Sequence, residues 1–370
     1  MKINNLKILI FLSVIIIGIV LISVYINQKN QGNMFNNFST SFIYIPIPIG
    51  AYSNYSLNNQ AYPYGVVDKN LKEKLSLDNP IRYLAQLIWF EESGYLEYKV
   101  KKPLPKNSKV KALRLFFEAY PEEGSSLNQK TDISVYINKK KILTQTINND
   151  SGGERGKYTP EWWPSNKIQY GKPIFVEIRE DGTYIGDSYN SDWAENKKVN
   201  INFQKVSDVG IENLELNQDV ISIRIGVDKD TENKGGISLF GEKFGNYPKM
   251  LTLGLEYDGE KMYQPKIANI IENPEKYENK TVIMAVHPGG WGCPPGNATK
   301  IPEAEDFSRS STMVYDDTGC LYGSGDILLG KILVPEIHTL STPGNETIVI
   351  KGKVKLDKNK IPFISPLNEN

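Results

Sequence analysis

Residues 133–144 read ISVYINKKKILT, and this stretch decides the fold class. Apolar side chains at Ile133, Val135 and Ile137 alternate with polar or amphipathic ones, which is typical of a strand with one buried face. The polar residues 138–140 then form a tight turn, and a second strand follows them. The stretch therefore predicts an antiparallel β-hairpin.

Strand signals recur on both sides of this hairpin, whereas helix signals are scarce. Eight or so antiparallel strands without intervening helices predict a β-sandwich, which we expect to be jelly-roll-like and to span residues 79–259. The helix expected here is residues 80–90, where Leu84, Leu87 and Ile88 share one helical face. The further strands are predicted at residues 95–100, 113–119, 174–179, 200–204, 220–227 and 250–257.

A second module is predicted over residues 260–370. A short helix at residues 267–277, interrupted by Pro274, precedes strands at residues 281–286, 311–315, 327–334, 347–356 and 362–364. A helix and about five strands with one long loop are typical of a small Greek-key barrel of the OB type. The predicted fold class is therefore all-β, with a jelly-roll-like sandwich, an OB-type barrel and one N-terminal transmembrane helix.

The N-terminal region predicts a membrane anchor. Residues 8–26 are apolar apart from two serines and one glycine, and as a helix they cross most of a bilayer. Lys2 and Lys7 precede this run and Lys29 follows it, so we expect a cytoplasmic tip at residues 1–7 and the rest of the chain outside the cell membrane. A cleaved signal peptide is the alternative, but the run is long for one and no A-x-A pattern follows it.

The next segment, residues 27–78, is rich in Asn, Ser, Tyr and Gln, and it contains Ile-Pro-Ile-Pro at residues 45–48. Proline at alternate positions donates no ladder hydrogen bonds. The pattern predicts an extended, polyproline-like stalk that lifts the following domains off the membrane.

Charge and histidine content exclude several classes of function. The chain has 43 basic and 43 acidic residues, and residues 263–370 carry eleven basic against thirteen acidic side chains, a net charge of −2. Single-strand binders need a positive groove, so nucleic acid is not an expected partner and remains a remote alternative for the barrel. His287 and His338 are the only histidines, and we predict no cofactor, no metal and no catalytic residue.

Cysteines and sequons agree with an exported chain. Cys293 and Cys320 are the only cysteines, and they predict one disulfide within the OB-like module. A Cys2His metal site that includes His287 is the weaker alternative. The sequons, whose number is close to chance, make six asparagines possible glycosylation sites: Asn37, Asn54, Asn149, Asn279, Asn297 and Asn345.

The candidate ligand site lies in an aromatic stretch of the sandwich. Trp162 and Trp163, with Tyr170 nearby in sequence, are able to stack on sugar rings, although packing is the more usual role of such side chains. Because adjacent strand residues face opposite ways, we expect one Trp in the core and the other exposed. Arg155, in a glycine-rich stretch, is a candidate to pair with a ligand carboxylate or hydroxyl.

Two acidic motifs are interpreted as structural. Asp228-x-Asp230-x-Glu232 has the first three carboxylates of a calcium loop, but position six is Asn233 and position twelve is Leu239, so a charged surface loop is the better interpretation. The pair at residues 316–317 follows a predicted strand and is typical of a turn.

Several motifs run in order through the predicted sandwich: RYLAQLIWF at 82–90, TDISVYIN at 131–138, TPEWWP at 159–164, RIGV at 224–227 and GGISLFG at 235–241. With these motifs, residues 79–257 resemble the C-terminal domain of certain ArsR-type transcriptional regulators. Those regulators carry a winged-helix DNA-binding domain, whose place is taken here by a membrane helix and a stalk. The resemblance therefore implies a ligand-sensing or sugar-binding sandwich, and not DNA regulation.

The second module also carries a resemblance. IIENPEKY at 270–277, VYDDTGC at 314–320 and IKGKV at 350–354 are similar to an OB-fold domain of exported archaeal and bacterial proteins. This resemblance implies a fold and says little about function.

The leading hypothesis is a membrane-anchored, extracytoplasmic ligand-binding or interaction protein without catalytic activity. Its partners would be the membrane, through residues 8–26, and a small molecule, glycan or surface protein. The alternative is a surface carbohydrate-active hydrolase, which would need two carboxylates about 5–9 Å apart.

Overall fold

Strands dominate the protein, and they form two sheets and a closed barrel, which confirms the all-β class. The computed structural model describes residues 41–57, 62–64, 85–90, 92–105, 107–122, 130–148, 155–164, 170–186, 203–247, 250–290, 311–324, 347–365 and 367. Among these residues no helix is long and apolar enough to cross a membrane. The predicted anchor at residues 8–26 and the tip at residues 1–7 lie outside them.

The larger sheet has nine strands. They are β1 (Ser41–Ile47), β3 (Tyr62–Tyr64), β4 (Leu87–Phe90), β6 (Lys109–Glu122), β9 (Lys172–Arg179), β10 (Gly182–Gly186), β11 (Phe203–Ser207), β13 (Gly236–Phe240) and β14 (Leu251–Asp258). Seven of them follow the order β11-β10-β9-β6-β13-β4-β3, while β14 pairs with β6 and β1 pairs with β14.

The smaller sheet has five strands in the order β2-β5-β12-β7-β8. They are β2 (Asn54–Leu57), β5 (Gly94–Lys101), β7 (Lys130–Ile137), β8 (Lys140–Asn148) and β12 (Val220–Val227), with a 3₁₀ helix at Ile211–Leu214 before β12. The predicted hairpin is confirmed as β7 and β8. Asn138 and Lys139 at its turn have φ of 46° and 69°, as the right-handed twist of the two strands requires.

One apolar core receives side chains from both sheets. Leu113, Leu115 and Phe117 of β6 and Ile133 and Val135 of β7 belong to the same buried cluster. In each strand these positions are two residues apart, so every second side chain points inward. The two sheets therefore pack their apolar faces together, as in a β-sandwich.

The C-terminal part is a closed five-stranded barrel in the order β15-β16-β17-β19-β18, with β17 and β19 parallel. Helices α1 (Ile267–Glu272) and α2 (Pro274–Tyr277) precede it and confirm the predicted helix interrupted at Pro274. The predicted strand at residues 327–334 lies outside the described residues. The barrel strands are β15 (Thr281–Gly290), β16 (Ser311–Tyr315), β17 (Cys320–Ser324), β18 (Ile348–Leu356) and β19 (Pro362–Ser365).

The predicted stalk at residues 27–78 is wrong for the part that the structure describes from Ser41 onward. Here β1 pairs with β14 as an edge strand, where a proline without an N–H is tolerated. The alternating prolines leave Ile43, Ile45 and Ile47 on one face, and all three are buried. The opposite edge of β1 is also occupied, because the side-chain amide of Gln264 donates to the carbonyl of Tyr44 and accepts from its N–H at 2.7 and 2.8 Å.

The predicted helix at residues 80–90 is wrong where its C-terminal part is described. Leu87–Phe90 form strand β4, which pairs with β13. Leu87 packs on the outer face of the larger sheet and Ile88 in the central core. A short apolar run is compatible with the periodicity of a helix and with that of a strand, and here the pairing with β13 stabilises the strand.

Asp316 fastens helix α1 to the barrel. It lies in the turn between β16 and β17, and its Oδ1 accepts from the N–H groups of Thr318 and Gly319 and from the Thr318 hydroxyl at 2.6–3.1 Å. Its Oδ2 accepts from the N–H of Ile267 at 2.9 Å. One carboxylate thus satisfies a turn and the first N–H of a helix, as N-capping residues do.

Replacing Asp316 by Ala should lower the free energy of unfolding by about 2–3 kcal/mol, because several buried N–H groups lose a charged acceptor. Asp317→Ala is the matched control: Asp317 is 73 % exposed and pairs with Lys266, so its loss should cost well under about 1 kcal/mol. Urea denaturation of the full chain measures both values. Equal losses in the two variants would contradict the role given to Asp316.

Candidate functional site

The sequence-predicted Arg155 is occupied by its own loop. Its Nη1 donates to the carbonyl of Pro160 at 2.6 Å and its Nη2 donates to the carbonyl of Trp163 at 3.0 Å. The guanidinium therefore closes the segment 155–164 on itself, and this contact gives it a structural role in the loop.

The two predicted tryptophans have different surroundings. Trp163 is 8 % exposed and meets Phe244 edge to face, with ring centroids 5.0 Å apart. Together with Leu87 and Tyr120 it belongs to an aromatic cluster on the outer face of the larger sheet. Trp162 is half-buried, with its ring centroid 6.2 Å from that of Trp163. Of the two rings, only that of Trp162 offers substantial surface to a ligand.

Glu118, which the sequence does not single out, holds the loops around this cluster. It is 1 % exposed on the outer face of β6, and it accepts from the N–H groups of Gly171, Asn246 and Tyr247 at 2.6–3.3 Å. Burial raises the pKa of Glu118 to about 7, against the opposing effect of these donors. The half-buried Tyr170, a predicted ligand residue, directly precedes the first of these donors.

Stability should fall as pH rises from 5 to 8, because the unfolded chain releases the Glu118 proton near pH 4.5 and the folded chain near 7. The contribution of the Glu118 proton is fully present below pH 4.5 and is lost as the pH rises through about 7, with a total of about 3 kcal/mol. Glu118→Gln has no such proton, so its unfolding free energy should change less over this range. Denaturant titrations at pH 5, 6, 7 and 8 compare the two slopes, and identical slopes would refute this assignment.

Trp163→Ala should cost about 3–5 kcal/mol of stability, because it removes a large side chain from a packed cluster. Trp162→Ala, its neighbour with a half-buried ring, should cost less than half of that value. Chemical denaturation of both full-length variants provides the comparison. If Trp162→Ala proved the more damaging, the packing described for these rings would be wrong.

A different surface concentrates polar groups: the outward face of the five-stranded sheet, here called the polar face. One cross-strand row runs over all five strands, because Glu97 pairs with Asn54 and with Arg224, Arg224 pairs with Tyr136, and Tyr136 pairs with Lys141. Each of these residues occupies an outward position of its strand, opposite the core-facing positions. The row therefore places three charged groups and one aromatic ring on one side of the sheet.

A cavity of about 570 Å³ lies at the β7–β8 end of the polar face. At its wall, Asp228 Oδ2 accepts from the Tyr136 hydroxyl at 2.7 Å and lies 2.6 Å from Lys141 Nζ. Asp132 accepts from the Thr146 hydroxyl and from Asn233. The lining residues include Asp132, Tyr136, Lys141, Thr144, Asp228 and Glu232.

Both aspartates in this cavity are carboxylates at neutral pH. For Asp228, burial acts to raise the pKa, but hydrogen bonds from Lys141, Tyr136 and Ser134 outweigh it and lower the pKa. For Asp132, burial is likewise outweighed by hydrogen bonds from Thr146 and Asn233. The cavity thus presents acceptors beside the ammonium group of Lys141 and the hydroxyl of Thr144. Such a wall both accepts and donates hydrogen bonds.

The sequence interpretation of residues 228–232 as a charged surface loop overlooked this cavity. The available signal was the alternation in β7, which puts Ser134 and Tyr136 outward on the same face. The sequence could not show that the Asp228 carboxylate contacts Tyr136 and Lys141. Among the described residues, no group of three or more His, Cys, Asp or Glu side chains is placed to hold a metal ion.

The predicted cysteine and glycosylation sites are only partly described. Cys320 is fully buried in β17, and no cysteine of the described chain is free, but Cys293 lies outside it, so the disulfide remains a prediction. Asn54 is exposed in β2, and Asn279 accepts from Lys355 Nζ at 2.6 Å. The other sequons lie outside the described residues: Asn37, Asn149, Asn297 and Asn345.

Comparison with known proteins yields no family. No protein-family model matches the chain, and no curated protein matches it. Among solved structures, the Agl-KA catalytic domain is 10% identical over 61% of this chain and 29% of its own, with a TM-score of 0.25. Dimeric latent PorU from Porphyromonas gingivalis is 9% identical over 88% of this chain and 19% of its own, with a TM-score of 0.23. Likenesses this weak carry no argument about fold family or function.

Proposed function

We propose that this protein is a membrane-anchored, extracytoplasmic binding protein without catalytic activity, and that a small hydroxylated ligand occupies the cavity beside the polar face. The mixed hydrogen-bonding wall of that cavity carries the proposal. Asp132 and Asp228 accept, while Lys141 and Thr144 donate, and a hydroxyl group does both. The volume of about 570 Å³ lies within the usual range for small-molecule sites.

The location outside the membrane rests on the anchor expected at residues 8–26 and on the positive charges before it. We further propose that the sandwich is jelly-roll-like and related to the ligand-sensing domain of the ArsR-type regulators it resembles. For the barrel we propose the OB type, supported by its strand order and by the parallel pair of β17 and β19. The half-buried Trp162 remains a second candidate contact for a ligand.

A surface carbohydrate-active hydrolase is the alternative, because two carboxylates, Asp132 and Asp228, line one cavity. Glycoside hydrolysis needs one of its two carboxyl groups protonated as a general acid, with a raised pKa. The pKa values of both aspartates are lowered. This electrostatic environment favours binding over hydrolysis.

A neutral sugar that binds the cavity should raise the thermal stability of the full chain, by about 2.7 kcal/mol at a hundredfold excess over its dissociation constant. Thr144→Val and Asp132→Asn, which remove one donor and one charged acceptor, should reduce this shift. Asp208→Asn is the control. Asp208 is 96% exposed and pairs with Lys205 of β11, a strand of the larger sheet. A panel of monosaccharides and disaccharides in thermal unfolding provides the measurement.

Two outcomes would contradict the proposal. The absence of any shift across the panel would remove the sugar-binding function. Release of monosaccharides from the disaccharides, followed by chromatography, would replace binding by hydrolysis.

A further inference from the structure

Four arginines lie in the described part of the chain, and three of them have protein acceptors. Arg155 donates to two carbonyls of its own loop. Arg114 and Arg179 both donate to Glu177, at 3.4 and 2.8 Å. Each of these three guanidinium groups donates at least one hydrogen bond within the fold, although the Nε of Arg114 is buried without a partner.

The fourth, Arg224, sits at the centre of the polar face without such an acceptor among the described residues. Its Nε is buried and has no hydrogen-bond partner, and its Nη2 lies 3.8 Å from the Glu97 carboxylate, beyond hydrogen-bond distance. Only the Oε1 atom of that carboxylate is engaged elsewhere, since it accepts from the Ser222 hydroxyl at 2.5 Å, and Oε2 is the atom that faces Arg224. The side chain of Arg224 is 31 % exposed, so part of it remains open to a ligand.

Two tyrosine rings hold this guanidinium in place. Its Cζ lies 4.0 Å from the ring centroid of Tyr95 and 5.7 Å from that of Tyr136. Contacts with ring faces hold the planar group by cation–π attraction. Because Nε is buried, the edge that a ligand can reach is the one formed by the two Nη groups. A preoriented guanidinium edge is suited to bidentate binding of a carboxylate, and its low remaining freedom reduces the entropy lost on binding.

Tyr136 connects this arginine to the cavity. It pairs with Arg224 on one side and with Lys141 on the other, and its hydroxyl donates to Asp228 in the cavity wall. A ligand that reaches both places would meet a guanidinium at one end and a wall suited to hydroxyl groups at the other. A carboxylate and several hydroxyls on one small ring meet this requirement.

We propose that the ligand is a sugar acid, whose carboxylate pairs with Arg224 and whose hydroxyl groups enter the cavity beyond Tyr136. The inference rests on the proposed function and deepens it by naming the ligand class. Lys141, on the next strand, lies on the same side of Tyr136 as the cavity, but its charge is already paired with Asp228 at 2.6 Å, so the carboxylate is assigned to Arg224. Glu97 still accepts the hydrogen bond from Ser222, and its Oε2 stays 3.8 Å from the Arg224 Nη2.

The test is isothermal titration of the full-length protein in detergent with glucuronate, glucose and acetate. Glucuronate should bind at least about ten-fold more tightly than glucose, because it adds a charge-assisted pair. It should also bind more tightly than acetate, which has no hydroxyl groups for the cavity. Arg224→Gln should abolish the preference for glucuronate over glucose, and Arg224→Lys, which keeps the charge but loses the planar fork, should reduce it.

Lys172→Gln is the matched control, since it removes one exposed positive charge on the other sheet and should leave the preference unchanged. A preference that survives in Arg224→Gln, or equal binding of glucuronate and glucose, would overturn the sugar-acid assignment and leave the proposed function standing. Acetate binding as tightly as glucuronate would overturn it as well. No binding of either sugar would overturn both proposals.

Discussion

Burial on both faces of strand β6 is the constraint on which the larger sheet depends. β6 pairs with β9, β13 and β14, and its inward side chains enter the core between the sheets. Its outward side chains are also covered: Phe116 and Glu118 have almost no exposure. Loops must therefore pack over this face, and the backbone donors that reach Glu118 show how they are held.

The smaller sheet obeys a different rule. Its inward face shares the common core through residues such as Ile223 and Ile225, whereas its outward face carries Glu97, Arg224 and Tyr136 with partial exposure. A sheet that is buried on one face only has no need to neutralise every polar group within the fold. The groups available for recognition are consequently concentrated on the sheet whose outward face is not covered by a second layer of described residues.

Charged side chains differ between the two sheets in the same way. Glu177, which is largely buried, is paired with Arg114 and Arg179, because an unpaired charge in such surroundings would be costly. Arg114 also lies 4.1 Å from the ring centroid of Phe42 on β1, so this network helps to seat the edge strand. Arg224 resembles Arg114 in its aromatic contact and in its unpaired Nε, yet the Glu97 carboxylate beside it lies 3.8 Å away, beyond hydrogen-bond distance.

Much of the local structure could be predicted from the sequence, because local patterns decide it. The hairpin at residues 133–144 and the helix broken at Pro274 depend on near neighbours in the chain. The segment at residues 41–48 could not be assigned in this way. Its alternating prolines are equally compatible with a free extended chain and with an edge strand, and only β14, two hundred residues away, decides between them.

The candidate site shows the same limit. Residue types alone made Arg155, Trp162, Trp163 and Tyr170 candidates, but the carbonyls of Pro160 and Trp163 turn out to engage the arginine.

The sequence by itself determined that the protein is built of strands with two unlike faces, since alternation is written into consecutive residues. Only the tertiary structure decided which of those faces is covered, and which of the described arginines donates no hydrogen bond. The physical reason is that burial and hydrogen-bond pairing are set by contacts between distant segments, which no local pattern contains.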